Sequence, residues 1–160
     1  MIIFKYRSWI FLNAMSATVI LGVIGSDAHA VGITILEQAL DAAGFEVVNL
    51  GVQSSQQDFI DAASAHEGDA VLVSSLYGHA EQDCRGFHEA IEAAGLDPVT
   101  YIGGNLSVGQ DDFEQTRECF REMGFDRVFD SETDPEDAIA ALRQDLQLAA
   151  TEAERHRVEG

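Results

Sequence analysis

Asp27 and His29 stand two residues apart in the segment Ser26-Asp27-Ala28-His29-Ala30-Val31-Gly32. At that spacing a carboxylate can accept the hydrogen bond of one imidazole nitrogen and fix its tautomer, leaving the other nitrogen to face a metal. One histidine is too few for a structural zinc site, which takes four protein ligands. It suits a metal already held equatorially by a macrocycle, to which a protein adds one axial bond. Gly32, three residues after His29, lets a large ligand approach the backbone closely. The same residues can also be read as local hydrogen-bonding groups at the start of a helix, and the spacing alone does not separate the two.

Two further segments bear on that choice. Ser74-Ser75-Leu76-Tyr77-Gly78 puts two hydroxyls at the end of an apolar run, where they can bond the polar edge of a heterocycle. Gly103-Gly104-Asn105, continuing through Leu106-Ser107-Val108-Gly109, removes side-chain bulk where a flat group would lie. Either alone reads as serines closing a strand or glycines turning a corner; with the first segment they outline a pocket. His79, Cys84 and His88 suggest a second metal set, Cys84 and His88 lying one helical turn apart, but three scattered ligands on one exposed helix are read as a solvated or packed face. Cys119, among helical residues, is expected in the core.

These segments are spaced by a regular alternation of elements. Thr18-Val19-Ile20-Leu21-Gly22-Val23-Ile24 is an apolar, largely β-branched run ending at Gly25, as in a strand covered on both faces of a parallel sheet. A helix over 31–43 stops at Gly44, and 46–50 is a second strand. Ser54 and Ser55 cap a helix to Ala65, 70–74 is a third strand, and a helix over 80–94 ends at Gly95. A strand over 98–102, a helix over 111–123, a short strand at 127–129 and a helix from Pro135 to about Leu146 complete the series. The alternation predicts an α/β fold: a flavodoxin-like, Rossmann-like, doubly wound five-stranded parallel sheet of order 2-1-3-4-5. Ligands of such sheets bind beyond the carboxyl ends of the strands at the switch point, where all three segments fall.

With 28 acidic and 9 basic residues the chain carries a formal charge of −19, which disfavours nucleic acid or an anionic membrane as a partner. Lys5 is its sole lysine, and acids spread along the whole length suit a surface adapted to high salt. Two cysteines make no disulfide framework and are read as reduced thiols of a cytoplasmic protein. Residues 1–14 hold Lys5, Arg7 and an apolar centre but no acid. They are expected to be an extension from a mis-assigned start at which Met15 is the true beginning, in preference to a signal peptide or a membrane span. Residues 15–148 then form the domain, and 149–160 a polar tail expected to fray.

The stretches Leu21-Gly22-Val23-Ile24-Gly25-Ser26-Asp27, His29-Ala30-Val31-Gly32, Leu72-Val73-Ser74-Ser75-Leu76-Tyr77-Gly78 and Tyr101-Ile102-Gly103-Gly104-Asn105 make the chain resemble the small, cobalamin-binding subunit of glutamate (methylaspartate) mutase. The likeness runs from about Val19 to Leu146; Ala28 stands where the family often has Cys, and His79-Ala80 is a departure after the Tyr-Gly pair. The resemblance implies adenosylcobalamin as cofactor, with His29 replacing the cofactor's own base on cobalt and that base lying in a slot beside the sheet. Ser74 and Leu76 would line the slot, with residues 105–109 at its far wall. It further implies radical interconversion of L-glutamate and L-threo-3-methylaspartate in a holoenzyme, a heterotetramer whose large barrel-type subunit supplies the catalytic residues. A corrinoid carrier for methyl transfer is a competing reading; it normally adds a helical cap domain before the cobalamin domain, and the presence of only about 17 residues before the first strand argues against it. A signalling receiver would need an Asp ending the third strand and a Lys ending the fifth, where this chain has Ser74 and Arg127-Val128-Phe129, and a flavodoxin would need a hydroxyl-rich phosphate loop after the first strand.

Overall fold

The computed structural model describes residues 17–25, 31–75, 80–104, 106, 113–130 and 132–159, with the side chains of Val31 and of residues 148–159 outside that description. Five strands, β1 (Thr18–Val23), β2 (Glu46–Asn49), β3 (Ala70–Ser75), β4 (Val99–Gly104) and β5 (Arg127–Val128), pair in parallel in the order β2-β1-β3-β4-β5. The expected doubly wound sheet is thus observed. Its cause is visible in β1, where Val19, Ile20, Leu21 and Val23 are fully buried with successive side chains on opposite faces.

One face carries α1 (Val31–Ala42) and α6 (Pro135–Glu159), which close Ile33, Leu40, Ile139 and Leu142 over Val19, Leu21, Leu72 and Tyr101. The other carries α2 (Gln56–Ala65), α3 (Ala80–Asp83), α4 (Phe87–Ala93) and α5 (Phe113–Met123), which set Phe59, Phe87, Ile91 and Phe120 over Ile20, Val71, Val73 and Ile102. Gly22 interrupts the apolar run of β1 for a packing reason: a Cβ there would come within 3.0 Å of Phe59 Cζ, so glycine lets the ring lie on the strand. Ser55 caps α2 with a reciprocal pair, its hydroxyl accepting from Asp58 N and Asp58 accepting from Ser55 N.

Three expectations are corrected. The helix over 80–94 is two helices, because Gly86 takes a left-handed conformation (φ 77°) and the Gln56 side-chain amide donates to the carbonyls of Asp83 and Arg85 exposed at the break. The last helix does not stop near Leu146 but continues to Glu159, through a stretch with no Gly or Pro to end it. Cys119 is only half-buried; on α5 the inward positions are Thr116 and Phe120.

Candidate cofactor site

At the carboxyl ends of β1, β3 and β4, on the α1/α6 face, lies a cavity of about 310 Å³. Its floor is the sheet itself, with Leu21, Leu72 and the Tyr101 ring. Ile33 and Leu36 of α1 form one wall, and Phe129, Pro135 and Ala138 form the other. Ser74 supplies a hydroxyl at the strand end, while Asp130, Thr133 and Asp134 make a polar rim. Apolar walls with a few convergent polar groups are the usual make-up of a site for a flat organic ligand.

Glycine keeps this space open. A Cβ on Gly32 would meet nothing within 4 Å, so the cavity reaches the backbone of α1. Gly104 has φ +107°, and a Cβ there would lie 2.2 Å from the Ser75 carbonyl oxygen, which fixes glycine where β3 and β4 end side by side. Ile35, 53% exposed, stands at the mouth as an apolar side chain in water.

The structure therefore brings Gly32, Ser74, Gly103 and Gly104 together at one cavity. Ser75 points to the opposite face, where its hydroxyl is buried with no hydrogen-bond partner, and Leu106 packs into the core of that face. Ser26, Asp27, Ala28, His29, Ala30, Leu76, Tyr77, Asn105, Ser107, Val108 and Gly109 lie outside the described residues. Sequence reasoning missed the α6 wall: Pro135 was legible as a helix start, but its position at this rim, with Asp134 beside it, comes from α6 folding back beside α1.

The wall is fastened by a three-residue clasp. The Tyr101 hydroxyl donates to Asp145 Oδ2, and Arg127 donates to the same carboxylate through Nε (2.7 Å) and Nη2 (3.0 Å). The Arg127 hydrogen bond holds the Asp145 carboxyl below its ordinary range, while burial and then the bond to Asp145 push the Tyr101 phenol up. The clasp ties β4, β5 and α6 together; Tyr101 lines the cavity, while Arg127 and Asp145 line the neighbouring hollow along β5.

Of the second set, Cys84 is buried and its thiol is pushed up to about 12, first by burial and then by Asp83, so it stays protonated. His88 hydrogen-bonds Thr100 Oγ1 through Nε2 at 3.0 Å and packs edge-on against Phe125, a structural setting on the far side of the Gly86 break. A hollow of about 750 Å³ along β5, lined by Arg117, Arg121, Asp97 and Asp126, holds none of the residues singled out from the sequence.

The doubly wound sheet with a cavity at its switch point is that of a cobalamin-binding domain by its family: residues 17–140 match the family described as the B12 binding domain. The chain is 70% identical over 146 residues to glutamate mutase sigma subunit 1 of Haloarcula marismortui, covering 91% of this chain and 97% of the relative. It is 56% identical over 137 residues to the glutamate mutase sigma subunit of Halobacterium salinarum, covering 86% of this chain and 92% of the relative. The chain belongs to the glutamate mutase sigma subunits. A crystal structure of a cobalamin-binding protein from Desulfitobacterium hafniense is similar with a TM-score of 0.65 and 25% identity, over 80% of this chain and 58% of that one. The relatives from halophiles agree with the salt-adapted reading of the surface.

Proposed function

We propose that this chain carries adenosylcobalamin for glutamate mutase, with His29 as the lower axial ligand of cobalt and Asp27 as the carboxylate that fixes the imidazole tautomer. The observation that carries this reading is the 310 Å³ apolar cavity ending at Ser74, beside the strand that leads into the Asp27–His29 segment. It suits the cofactor's displaced heterocyclic base: Leu21, Leu72, Leu36 and Phe129 would pack against it, and the Ser74 hydroxyl would be available to a ring nitrogen. Gly32, Gly103 and Gly104 let the macrocycle approach the backbone. When bound, adenosylcobalamin supplies a weak cobalt–carbon bond as the source of radical chemistry. The work of this chain is to hold, orient and shield. His29 would hold the cobalt with Asp27 fixing its tautomer, and the cavity walls would keep water from the base.

Substrate contacts and proton transfers then belong to a large barrel-type partner subunit, in a cytoplasmic heterotetramer that interconverts L-glutamate and L-threo-3-methylaspartate. Adding adenosylcobalamin to the purified chain is expected to give a spectrum in which the cofactor's own base has left cobalt and histidine has replaced it, and His29→Ala is expected to abolish that change. A wild-type spectrum still showing the cofactor's own base on cobalt sinks the reading. Glutamate turnover is expected only after the large subunit is added; turnover by this chain alone refutes the carrier role.

A further inference from the structure

The α1 wall of the cavity rests on the sheet through an apolar stripe, Ile33, Leu36 and Leu40, packed with Val19, Leu21 and Leu72. Apolar packing is non-directional, so by itself it holds a helix down on a sheet without fixing its roll. A directional contact stands at the flank of that stripe. Asn49, the last residue of β2, donates from Nδ2 to Glu37 Oε1 at 3.0 Å, and Glu37 follows Leu36 directly and lies one helical turn after Ile33. Both side chains are half-buried.

Asn49 is itself held. Its Oδ1 accepts from Gly51 N at 2.8 Å, Gly51 O accepts from Val23 N at 2.9 Å, and Leu50 N donates to Leu21 O at 2.7 Å. Asn49 pairs in register with Leu21, which lines the cavity floor. One amide therefore joins the helix that forms the wall to the carboxyl end of the strand that forms the floor. Its nitrogen gives to a carboxylate while its oxygen receives a main-chain N–H, a pair of tasks that an aspartate or a leucine of the same size cannot perform together. Glu37 and Asn49 are not among the residues that line the cavity, so they act on it through α1.

We infer that Asn49 is a positioning residue for the cofactor's base: its bond to Glu37 sets the roll of α1 and with it the width of the slot between Ile33 and Leu36 on one side and Phe129, Pro135 and Ala138 on the other. Gly103 and Gly104, at the ends of other strands, are left as they are when the bond is cut. The inference rests on the reading of the cavity as the slot for the displaced base.

The test uses the full chain and two probes, adenosylcobalamin and adenosylcobinamide, which has the same corrin but no nucleotide base. The readout is the ratio of their dissociation constants, and the wild-type chain is expected to prefer adenosylcobalamin. Asn49→Asp keeps an acceptor for Gly51 N but sets a carboxylate against Glu37. It is expected to weaken adenosylcobalamin binding by about 10-fold, the order of one lost hydrogen bond to a charged acceptor, and adenosylcobinamide binding by no more than about 2-fold. Combining Asn49→Asp with Glu37→Gln reverses donor and acceptor across the same contact, at the same side-chain lengths and net charge, and is expected to restore the wild-type ratio. A wild-type ratio in folded Asn49→Asp, equal losses for both corrinoids, or a double variant no better than Asn49→Asp overturns the inference. If Asn49→Asp does not fold, Glu37→Ala cuts the tie from the helix side and leaves the Gly51 bond intact, and an unchanged ratio there overturns the inference equally. A wild-type chain that binds the two corrinoids equally overturns the reading of the cavity, and the inference with it, whereas a wild-type preference that survives in Asn49→Asp leaves that reading standing.

Discussion

Cutting the Tyr101–Asp145–Arg127 clasp tests whether the cavity wall depends on it. Tyr101→Phe removes one hydrogen bond but leaves Asp145 with both Arg127 bonds, so no charge is orphaned and the expected cost is about 1–1.5 kcal/mol. Asp145→Ala removes all three bonds. It strands the hydroxyl of a residue only 2% exposed, at about 1–3 kcal/mol. The Arg127 side chain is 39% exposed, so water screens its share to no more than about 1 kcal/mol. The total for Asp145→Ala is therefore about 1–4 kcal/mol, a fall in melting temperature of about 3–15 °C for a domain of this size. The Tyr101–Asp145 bond is lost in either single mutant, so the double mutant should cost less than the sum by about 0.5–1 kcal/mol. Urea and thermal unfolding of the four proteins measure the cycle. Because Tyr101 is the cavity floor and α6 its wall, cobalamin affinity should fall in Asp145→Ala more than in Tyr101→Phe. Strict additivity, or a loss of stability with no loss of affinity, refutes the reasoning.

Gly104→Ala is expected to destabilise by on the order of 2–4 kcal/mol, because it adds a Cβ at φ +107° and drives it against the Ser75 carbonyl oxygen; thermal unfolding measures this. For pH, burial pushes the His88 imidazole below its ordinary value of 6.5, so as pH falls the unfolded chain takes the proton first. That stability is present above pH 6.5 and is lost as pH falls from 6.5 toward the lower folded value. The component should be missing in His88→Gln, as melts at stepped pH would show. The formal charge of −19 predicts a melting temperature that rises from low to molar KCl as self-repulsion is screened, and a flat salt dependence counts against that account.

Where packing is dictated by the chain itself, the sequence was readable. β1 and β3 are covered on both faces and so are written as apolar runs, and Gly44, Gly95 and Gly124 each mark a helix end with positive φ. Gly86 was not readable as a break, since a glycine within a helical pattern is tolerated as often as it ends one, and the groups that settle it come from Gln56, thirty residues earlier. The run past Leu146 was read as a tail for its polarity, although its residues are good helix formers. At the site, Gly32, Ser74, Gly103 and Gly104 could be found because they lie in strand-end segments. Phe129, Pro135 and Ala138 could not, because the wall exists only once α6 has docked.

The two faces of the sheet take separate tasks at this rim. The α1/α6 face provides the apolar cavity, while on the α2/α3 face Asp83 packs against Gly25, so the two features do not compete for space. The electrostatics point the same way as this division. Asp130 and Asp134 stand at the cavity rim, no Lys or Arg is among the described residues that line it, and the whole chain is strongly acidic. Such a rim repels a dicarboxylate such as L-glutamate and suits a neutral, apolar group. On the reading proposed above, the cations that hold the substrate carboxylates would be supplied by the partner subunit.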